Sequence, residues 1–473
     1  MEPGSARPRE IKCDNLPVPT SPSTLRSAVL RRSFRKSFPA AVRGEGVYVW
    51  DSDGNRYLDL SGSAAVNFIG HGVPEISAAI AEQTAQLEFV HTSQFTTPVA
   101  EAYAEELLAF AGSNFSGGAV YFTCGGSESI ETALKLARQY QVEIGQTSRY
   151  QILSRQQSYH GSTLGALSVS GNRRRREMYL PMVKEFAHVG MSYCYRCDFD
   201  CSDGCRNCGQ QYAAELERAI EDSNGQAAAF IFEPVSGATL GAVVPPPGYL
   251  QSVAEICRRR GVLLIADEVM TGMGRTGLNF AVEHSGVTPD ILVTAKGLSS
   301  GYAPLGAVLA SGKVVDAIAN GSGAFLHGFT YNAHPISLAA GRAVLRYLRE
   351  KQLVEAADSS RVGTPAEEFK HALETLRDAE TVGDVRGIGL LWAVEFVADK
   401  ASKRPFAAEK NFSGRVGASA SKRGLLVYPM QGSVDGISGD HLLLAPPAVI
   451  TAEQISWSID QLRAAIREAV TSL

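Results

Sequence analysis

Residues Val262–Val308 read VLLIADEVMTGMGRTGLNFAVEHSGVTPDILVTAKGLSSGYAPLGAV. Two short apolar runs lie within this stretch, Val262–Ala266 and Ile291–Ala295, and each stops on a charge, Asp267 after the first and Lys296 after the second. Runs of this length, rich in Val, Ile and Leu and without polar alternation, fit strands buried on both faces of a parallel sheet. Open parallel sheets bind ligands just beyond the carboxyl ends of their strands, so Asp267 and Lys296 are expected to face one crevice. Either residue alone reads equally as a solvated strand-end charge. The context separates the two readings, because Lys296 is followed by the Gly-rich, apolar GLSSGYAPLGA, where a surface lysine would have polar company.

A desolvated amine has a lowered pKa and acts as a nucleophile able to form a Schiff base. A nearby carboxylate suits a different task, keeping a proton on a heterocyclic nitrogen. Together they meet the needs of pyridoxal 5′-phosphate, a lysine for its aldehyde and an acid for its pyridinium. The segments ADEVMTGMGRTG and TPDILVTAKGLSSGYAPLGAV closely resemble the signature of the class III (omega) aminotransferases, fold-type-I pyridoxal-phosphate enzymes, and the resemblance runs from about Gly44 to the C-terminus. It implies an α/β fold: a large domain with a mainly parallel sheet flanked by helices, plus a smaller α+β domain. The expected division is a flexible tail over 1–43, a segment over 44–74 associated with the small domain, a cofactor-binding large domain over 75–334 and the small domain over 335–473.

Composition narrows the class. A chain of 473 residues, 45% hydrophobic and 20% charged, suits a soluble enzyme of two or three domains. A net charge of −4 gives no electrostatic case for nucleic acid or a membrane surface. No apolar run approaches the roughly 18 residues of a spanning helix, and the N-terminus lacks an apolar signal core. A cytoplasmic location is expected. The start through Pro39, rich in Pro, Ser and Arg, reads as flexible, and Glu2, Glu10 and Asp14 weigh against a transit peptide.

Along the chain, GEGVYVWDSDGNRYLDLSG from Gly44 signals a hairpin turning at Asp53–Gly54. In Ser61–Gly72 the small residues Ser63, Ala64 and Ala65 either leave room on the substrate side, as the resemblance implies, or accommodate a packed helix. Glu75–Ala111 has helical period, interrupted near His91–Thr97. The strand Ala119–Thr123 runs through Cys124-Gly125-Gly126-Ser127-Glu128 into a helix over Ser129–Tyr140, and a Gly-rich turn at a helix start is an anion site. Gly126 and Ser127 are the candidate phosphate ligands. After a strand at Tyr150–Leu153, Tyr159 matches the family's ring-stacking aromatic. The neighbouring His160 reads as a structural hydrogen-bonding residue beside the cofactor. The basic run Arg173–Arg176 reads as a solvated or dimer-facing patch.

Five of the eight cysteines fall in one loop, 191–210, with the pattern C-x2-C-x3-C-x3-C-x2-C, so they call for a common explanation. Two C-x2-C pairs suggest tetrahedral zinc on Cys194, Cys197, Cys205 and Cys208, leaving Cys201 over; free or redox-active thiols are the other reading. The buried strand Ala227–Phe232 ends on Glu233, a third charge for the crevice, which the resemblance places near the substrate and often pairs with an arginine. Val269 would face Tyr159 across the cofactor ring. Thr330, in Phe329-Thr330-Tyr331-Asn332, resembles the threonine that reaches the phosphate of a second subunit, implying a homodimer with shared sites.

From Pro335 onward, helices at Pro335–Leu348 and Ala366–Glu374, strands around Gly387–Phe396 and Leu425–Pro429, and a last helix Ala452–Val470 are expected. Amino-acid-converting members carry a carboxylate-binding arginine just before the match to Pro446-Pro447; here that position is Leu443, and no arginine lies between Arg423 and Arg463. The resemblance thus implies a ping-pong aminotransferase in which Lys296 and Asp267 are catalytic. Its substrates would be a small-molecule amine donor, of omega type by the loss of the clamp, and a keto acceptor whose cation is Arg423 or a mobile arginine. Racemases, mutases and decarboxylating enzymes share these cofactor residues and form one alternative. A metal- or redox-sensing docking protein built on the cysteine loop forms another.

Overall fold

Seven strands of the computed structural model, which describes residues 28–34, 36–199, 205 and 207–473, form its central sheet. Residues 1–27 of the expected tail, and Cys201, lie outside the described residues. The strand order across the sheet is Ala119–Thr123, Gly306–Ala310, Ile291–Thr294, Leu263–Asp267, Ala227–Phe232, Gln151–Arg155 and His188–Val189. Gly306–Ala310 runs antiparallel to both neighbours; every other pairing is parallel. Ala227–Phe232 and Leu263–Asp267 are buried at every position, which is why they read as unbroken apolar runs. Register then aligns their ends: Phe232 faces Ala266, and Asp267 faces Val293.

Helix Gly126–Glu143 packs on Gly306–Ala310 and Ile291–Thr294, and it starts earlier than the expected Ser129. The long helical period before it divides into Pro74–Gln86 and Pro98–Ala111. The break opens at Leu87, ahead of the expected His91, because Leu87 is already extended. Helix resumes where Pro98 supplies a preset first turn and the Thr97 hydroxyl accepts from the Ala100 N–H at 3.3 Å. Among the described residues no helix is long and apolar enough to cross a membrane.

The hairpin at Asp53–Gly54 joins Tyr48–Asp51 to Arg56–Asp59, with Tyr48 opposite Leu58. Its next neighbour comes from far along the chain. The expected strand Leu425–Pro429 splits: Leu425–Leu426 pairs in parallel with Arg56–Asp59, while Tyr428–Gln431 joins a separate four-stranded sheet with Val382–Ile388, Leu391–Phe396 and Asp440–Leu444. The region expected as one strand around Gly387–Phe396 is a hairpin turning at Gly389. That residue is left-handed at φ +61°, and a Cβ there would sit 2.5 Å from Thr276 Cα. The helices Pro335–Glu350, Pro365–Glu374 and Ala452–Thr471 lie within two residues of expectation.

Gly62, Ser63, Ala64 and Ala65 form one left-handed turn, with φ between +51° and +65°. Each non-glycine residue in it costs about 1–2 kcal/mol, so contacts must hold it. Asp59 accepts from the Ser61 and Ser63 hydroxyls at 2.6 and 2.8 Å, and Ser300 Oγ accepts from the Phe68 and Ile69 N–H groups at 2.8 and 3.1 Å. Ser63 is thereby tied to Asp59, and Ala65 lies in one buried cluster with Leu443 and Ala445.

Arg275, 2% exposed, closes the arrangement from the other side. Its guanidinium donates to the carbonyls of Ala445 (3.0 Å), Pro446 (2.6 Å) and Asn67 (2.9 Å) and lies 4.7 Å over the Phe68 ring. Arg275→Met keeps the volume and strands three buried carbonyls. It should lower unfolding free energy by about 3–5 kcal/mol, read as a fall in urea midpoint at constant slope; a loss below about 1 kcal/mol would show that the guanidinium does not hold the turn.

Candidate active site

The aligned strand ends open into a cavity of about 450 Å³. Lys296, Asp267, Glu233, Tyr159, His160, Val269, Gly126 and Ser127 all line it. Thr330 does not: it is exposed, outside the cavity of its own chain, next to Tyr331, whose carbonyl accepts from Cys124 Sγ at 3.6 Å.

Asp267 is buried, and each of its carboxylate oxygens accepts one hydrogen bond, which leaves acceptor capacity toward the cavity. Oδ2 accepts from His160 Nδ1 at 2.7 Å and Oδ1 from the Val269 N–H at 3.0 Å. A carboxylate oxygen only accepts, so the His160 proton sits on Nδ1. His160 in turn is fixed by its backbone N–H to Ser170 Oγ, 2.9 Å. Its Nε2 is buried with no hydrogen-bond partner in the described structure.

Lys296 follows the strand end in a left-handed conformation, φ +44°, uncommon for a residue with a side chain and typical of sites where the surroundings impose a geometry. Burial pushes its amine down to about 8, against the upward pull of Asp267 and Glu233. Such an amine keeps a neutral, nucleophilic fraction of about a tenth to a fifth near physiological pH.

Glu233 accepts from the Gly237 N–H at 2.9 Å and the Tyr159 N–H at 3.4 Å, while burial raises its carboxyl. Among the described residues no arginine forms an ion pair with the Glu233 carboxylate. Arg155, at the end of strand Gln151–Arg155, donates to the backbone carbonyl of Glu233 and to Ser192 Oγ, so it orients the strand end and not the carboxylate. Sequence reasoning passed over Arg155, although it stands at a strand end like Asp267 and the same rule would have found it.

At the far side, the first bond inside helix Gly126–Glu143 is Ser129 N–H to Gly125 O, 3.0 Å, so the N–H groups of Gly126, Ser127 and Glu128 precede the ladder. A Cβ on Gly126 would lie 3.0 Å from Val269 Cγ1. Glycine thus lets the helix start close on Val269, while Gly125 has open space beside it. An anion-accepting helix start, a neutralisable buried lysine and a hydrogen-bonded aspartate border one cavity. This donor set fits an aromatic aldehyde that carries a phosphate and a basic ring nitrogen.

Two arginine expectations change. Arg423 pairs with Glu468 at 2.9 Å and does not line the cavity. In the run Arg173–Arg176, Arg173 and Arg174 are exposed, but the Arg175 guanidinium stands 4.5 Å over the Tyr159 ring and is one of the charges that Lys296 feels. Leu443 is buried beside Ala65, Val235, Ala238 and Met270, the last three of which line the cavity.

The family model described as aminotransferase class-III matches residues 31–466. The uncharacterized aminotransferase YodT of Bacillus subtilis is 39% identical over 90% of this chain and 94% of its own length. An adenosylmethionine-8-amino-7-oxononanoate aminotransferase of Geobacter sulfurreducens is 34% identical over 90% and 91%. Among solved structures, a thermostable (S)-enantioselective omega-transaminase from Thermomicrobium roseum superposes with a TM-score of 0.84 at 37% identity, covering 92% of this chain and 94% of that one. The relatives are transaminases, and neither the racemase, mutase and decarboxylase readings nor the docking-protein reading is favoured. The chain belongs to the class III aminotransferases and is a pyridoxal-phosphate-dependent enzyme of fold type I that transfers amino groups between small molecules.

Proposed function

We propose that this aminotransferase takes its amino group from a donor whose reacting amine is remote from any carboxylate, an ω-amino acid, a diamine or a larger amine, and passes it to a small 2-oxo acid. The buried apolar position of Leu443 carries this reading. A substrate carboxylate entering a desolvated pocket costs several kcal/mol unless a cation meets it, and Val235, Ala238 and Met270, the apolar side of the cavity whose cluster Leu443 completes from behind, offer none. The acceptor's carboxylate instead meets Arg175, the cation beside Tyr159.

Within the same reading, Lys296 would hold the cofactor by its aldehyde, and the Lys296 Nζ would remove the proton from the amine-bearing substrate carbon and return one. Asp267, steadied by His160 Nδ1–H and the Val269 N–H, keeps the ring nitrogen protonated. The bound cofactor supplies the electron sink. Tyr159 and Val269 would flank the ring, and Gly126 and Ser127 would hold the phosphate at the helix start. Glu233 sits near the substrate side. Thr330 reaches the phosphate held by a second copy, which makes the enzyme a homodimer with shared sites; exposed Phe95, Leu326 and Tyr331 supply an apolar surface for it. The reading keeps a smaller unit of 44–74 with 335–473 beside a larger one of 75–334, supported by the pairing of Leu425–Leu426 with Arg56–Asp59. It also keeps a cytoplasmic location, with which Cys194, Cys205 and Cys208 lacking disulfides agree.

Three outcomes are expected. Cofactor capture by the apoprotein should rise with pH through a midpoint of about 8, as the Lys296 amine loses its proton, and level off above it. Borohydride should then fix the cofactor on Lys296. Capture independent of pH, or an adduct on another lysine, would overturn the assignment.

Asp267→Asn should retain cofactor absorbance and lose several orders of magnitude in turnover, because an amide does not stabilise a protonated ring nitrogen; near-normal turnover would remove Asp267 from its role.

Half-reaction rates should favour a terminal amine over alanine or glutamate. Arg175→Gln should raise KM for pyruvate about 10- to 100-fold, as loss of a charged hydrogen bond predicts, and leave the terminal-amine half-reaction within about twofold. Preference for α-amino acids, or an unchanged KM, would show that another group meets the carboxylate.

A further inference from the structure

The loop that transamination does not use carries a second site. Cys194, Cys205 and Cys208 present sulfur atoms within 4.8 Å of one another, although up to fourteen residues separate them in sequence. None of the three is in a disulfide. Cys197, the partner of Cys194 in the first C-x2-C pair, accepts from Tyr212 Oη at 3.7 Å and lies within electrostatic reach of Cys194 and Cys208. We infer that Cys194, Cys197, Cys205 and Cys208 bind one structural zinc ion, held as a tetrahedral tetrathiolate.

The geometry of the cluster suits a metal ion: three sulfurs converge within 4.8 Å of one another without pairing as disulfides. Thiolates this close repel one another unless a cation sits among them. Zinc supplies that charge: four S–H protons pass to solvent, four S–Zn bonds form, and no oxidant or reductant takes part. An all-sulfur donor set is soft and selects zinc over oxygen-loving cations such as magnesium or calcium.

The segment the ion closes is a strap between distant parts of the fold. On one side Ser192 Oγ accepts from Arg155, which also grips the Glu233 carbonyl at the active site. On the other, Tyr193 donates to Glu395, Arg196 Nε donates to Glu395 at 2.8 Å, Arg196 donates to the Lys403 carbonyl and Lys403 to the Tyr195 carbonyl, each at 2.8 Å. Burial alone would raise the Glu395 carboxyl, but Arg386 and Arg196 outweigh it and hold it below the usual range. Zinc would fix the Cys194–Arg196 turn against the start of helix Cys208–Asp222, and so fix both ends of this network. The role is structural, since none of the four cysteines lines the active-site cavity.

Elemental analysis of the full chain, purified without chelator, should give one zinc per chain. Replacement by cobalt should produce the intense thiolate-to-cobalt absorption of a tetrahedral sulfur site. Cys205→Ser with Cys208→Ser should abolish both signals and lower the melting temperature while cofactor absorbance persists, whereas Cys257→Ser should keep the metal. Where the double variant does not fold, the zinc content and cobalt spectrum of the native chain decide. Metal-free protein whose four thiols titrate freely, or disulfides among them in the non-reduced protein, would overturn the site.

Discussion

Three ionisable side chains sit side by side where neighbouring strands end, and their removal from water is the constraint around which the fold is arranged. Asp267 and Glu233 are 5% and 6% exposed, and an uncompensated buried ion costs several kcal/mol. The two kinds of group are stabilised differently. Asp267 receives His160 Nδ1–H and a backbone N–H, and Glu233 receives two backbone N–H groups. Lys296 instead loses its proton more readily than an exposed lysine, with burial bringing its amine to about 8. Anchored carboxylates beside a lysine that is easily neutral give the asymmetry that acid–base chemistry at one cavity requires.

Such a site depends on backbone that local propensity would not choose. Lys296 is left-handed, and so are Gly62 through Ala65, the turn that leads into Val66 at the cavity. Both departures are over-determined by long-range hydrogen bonds: Ser300 joins the Lys296 loop to Phe68 and Ile69, and Arg275 binds Asn67, Ala445 and Pro446 together. The clamp residues are buried arginine and serine, whose hydrogen bonds to carbonyls and N–H groups enforce direction as apolar packing does not.

The central strands and the charges at their ends were legible because burial on both faces leaves no polar alternation, so each run stops visibly at its first charge. The phosphate-binding turn was legible through its glycines. Arg275 was not, since its partners are more than 165 residues away and nothing local marks an arginine that will donate to three carbonyls. Leu425–Pro429 read as one strand because both halves are apolar, and only tertiary pairing assigns Leu425–Leu426 and Tyr428–Gln431 to different sheets. Arg175 was grouped with its exposed neighbours because a run of four identical residues carries no phase; the helix it forms turns 175 toward Tyr159 and 173 toward solvent.

That difference within one basic run bears on how a single pocket serves two substrates in alternation. A ping-pong enzyme whose donor brings no carboxylate to the reacting end, and whose acceptor does, gains little from a fixed buried guanidinium, which would stay desolvated and unpaired through half of every cycle. An arginine on a four-residue helix, half-exposed and resting on an aromatic face, pays far less when unpaired, because water and the ring stabilise it. On the proposed reading, leucine at 443 and arginine at 175 would be two parts of one arrangement: an apolar wall backed by Leu443 for the donor's body, and a cation on the Tyr159 ring for the acceptor's charge.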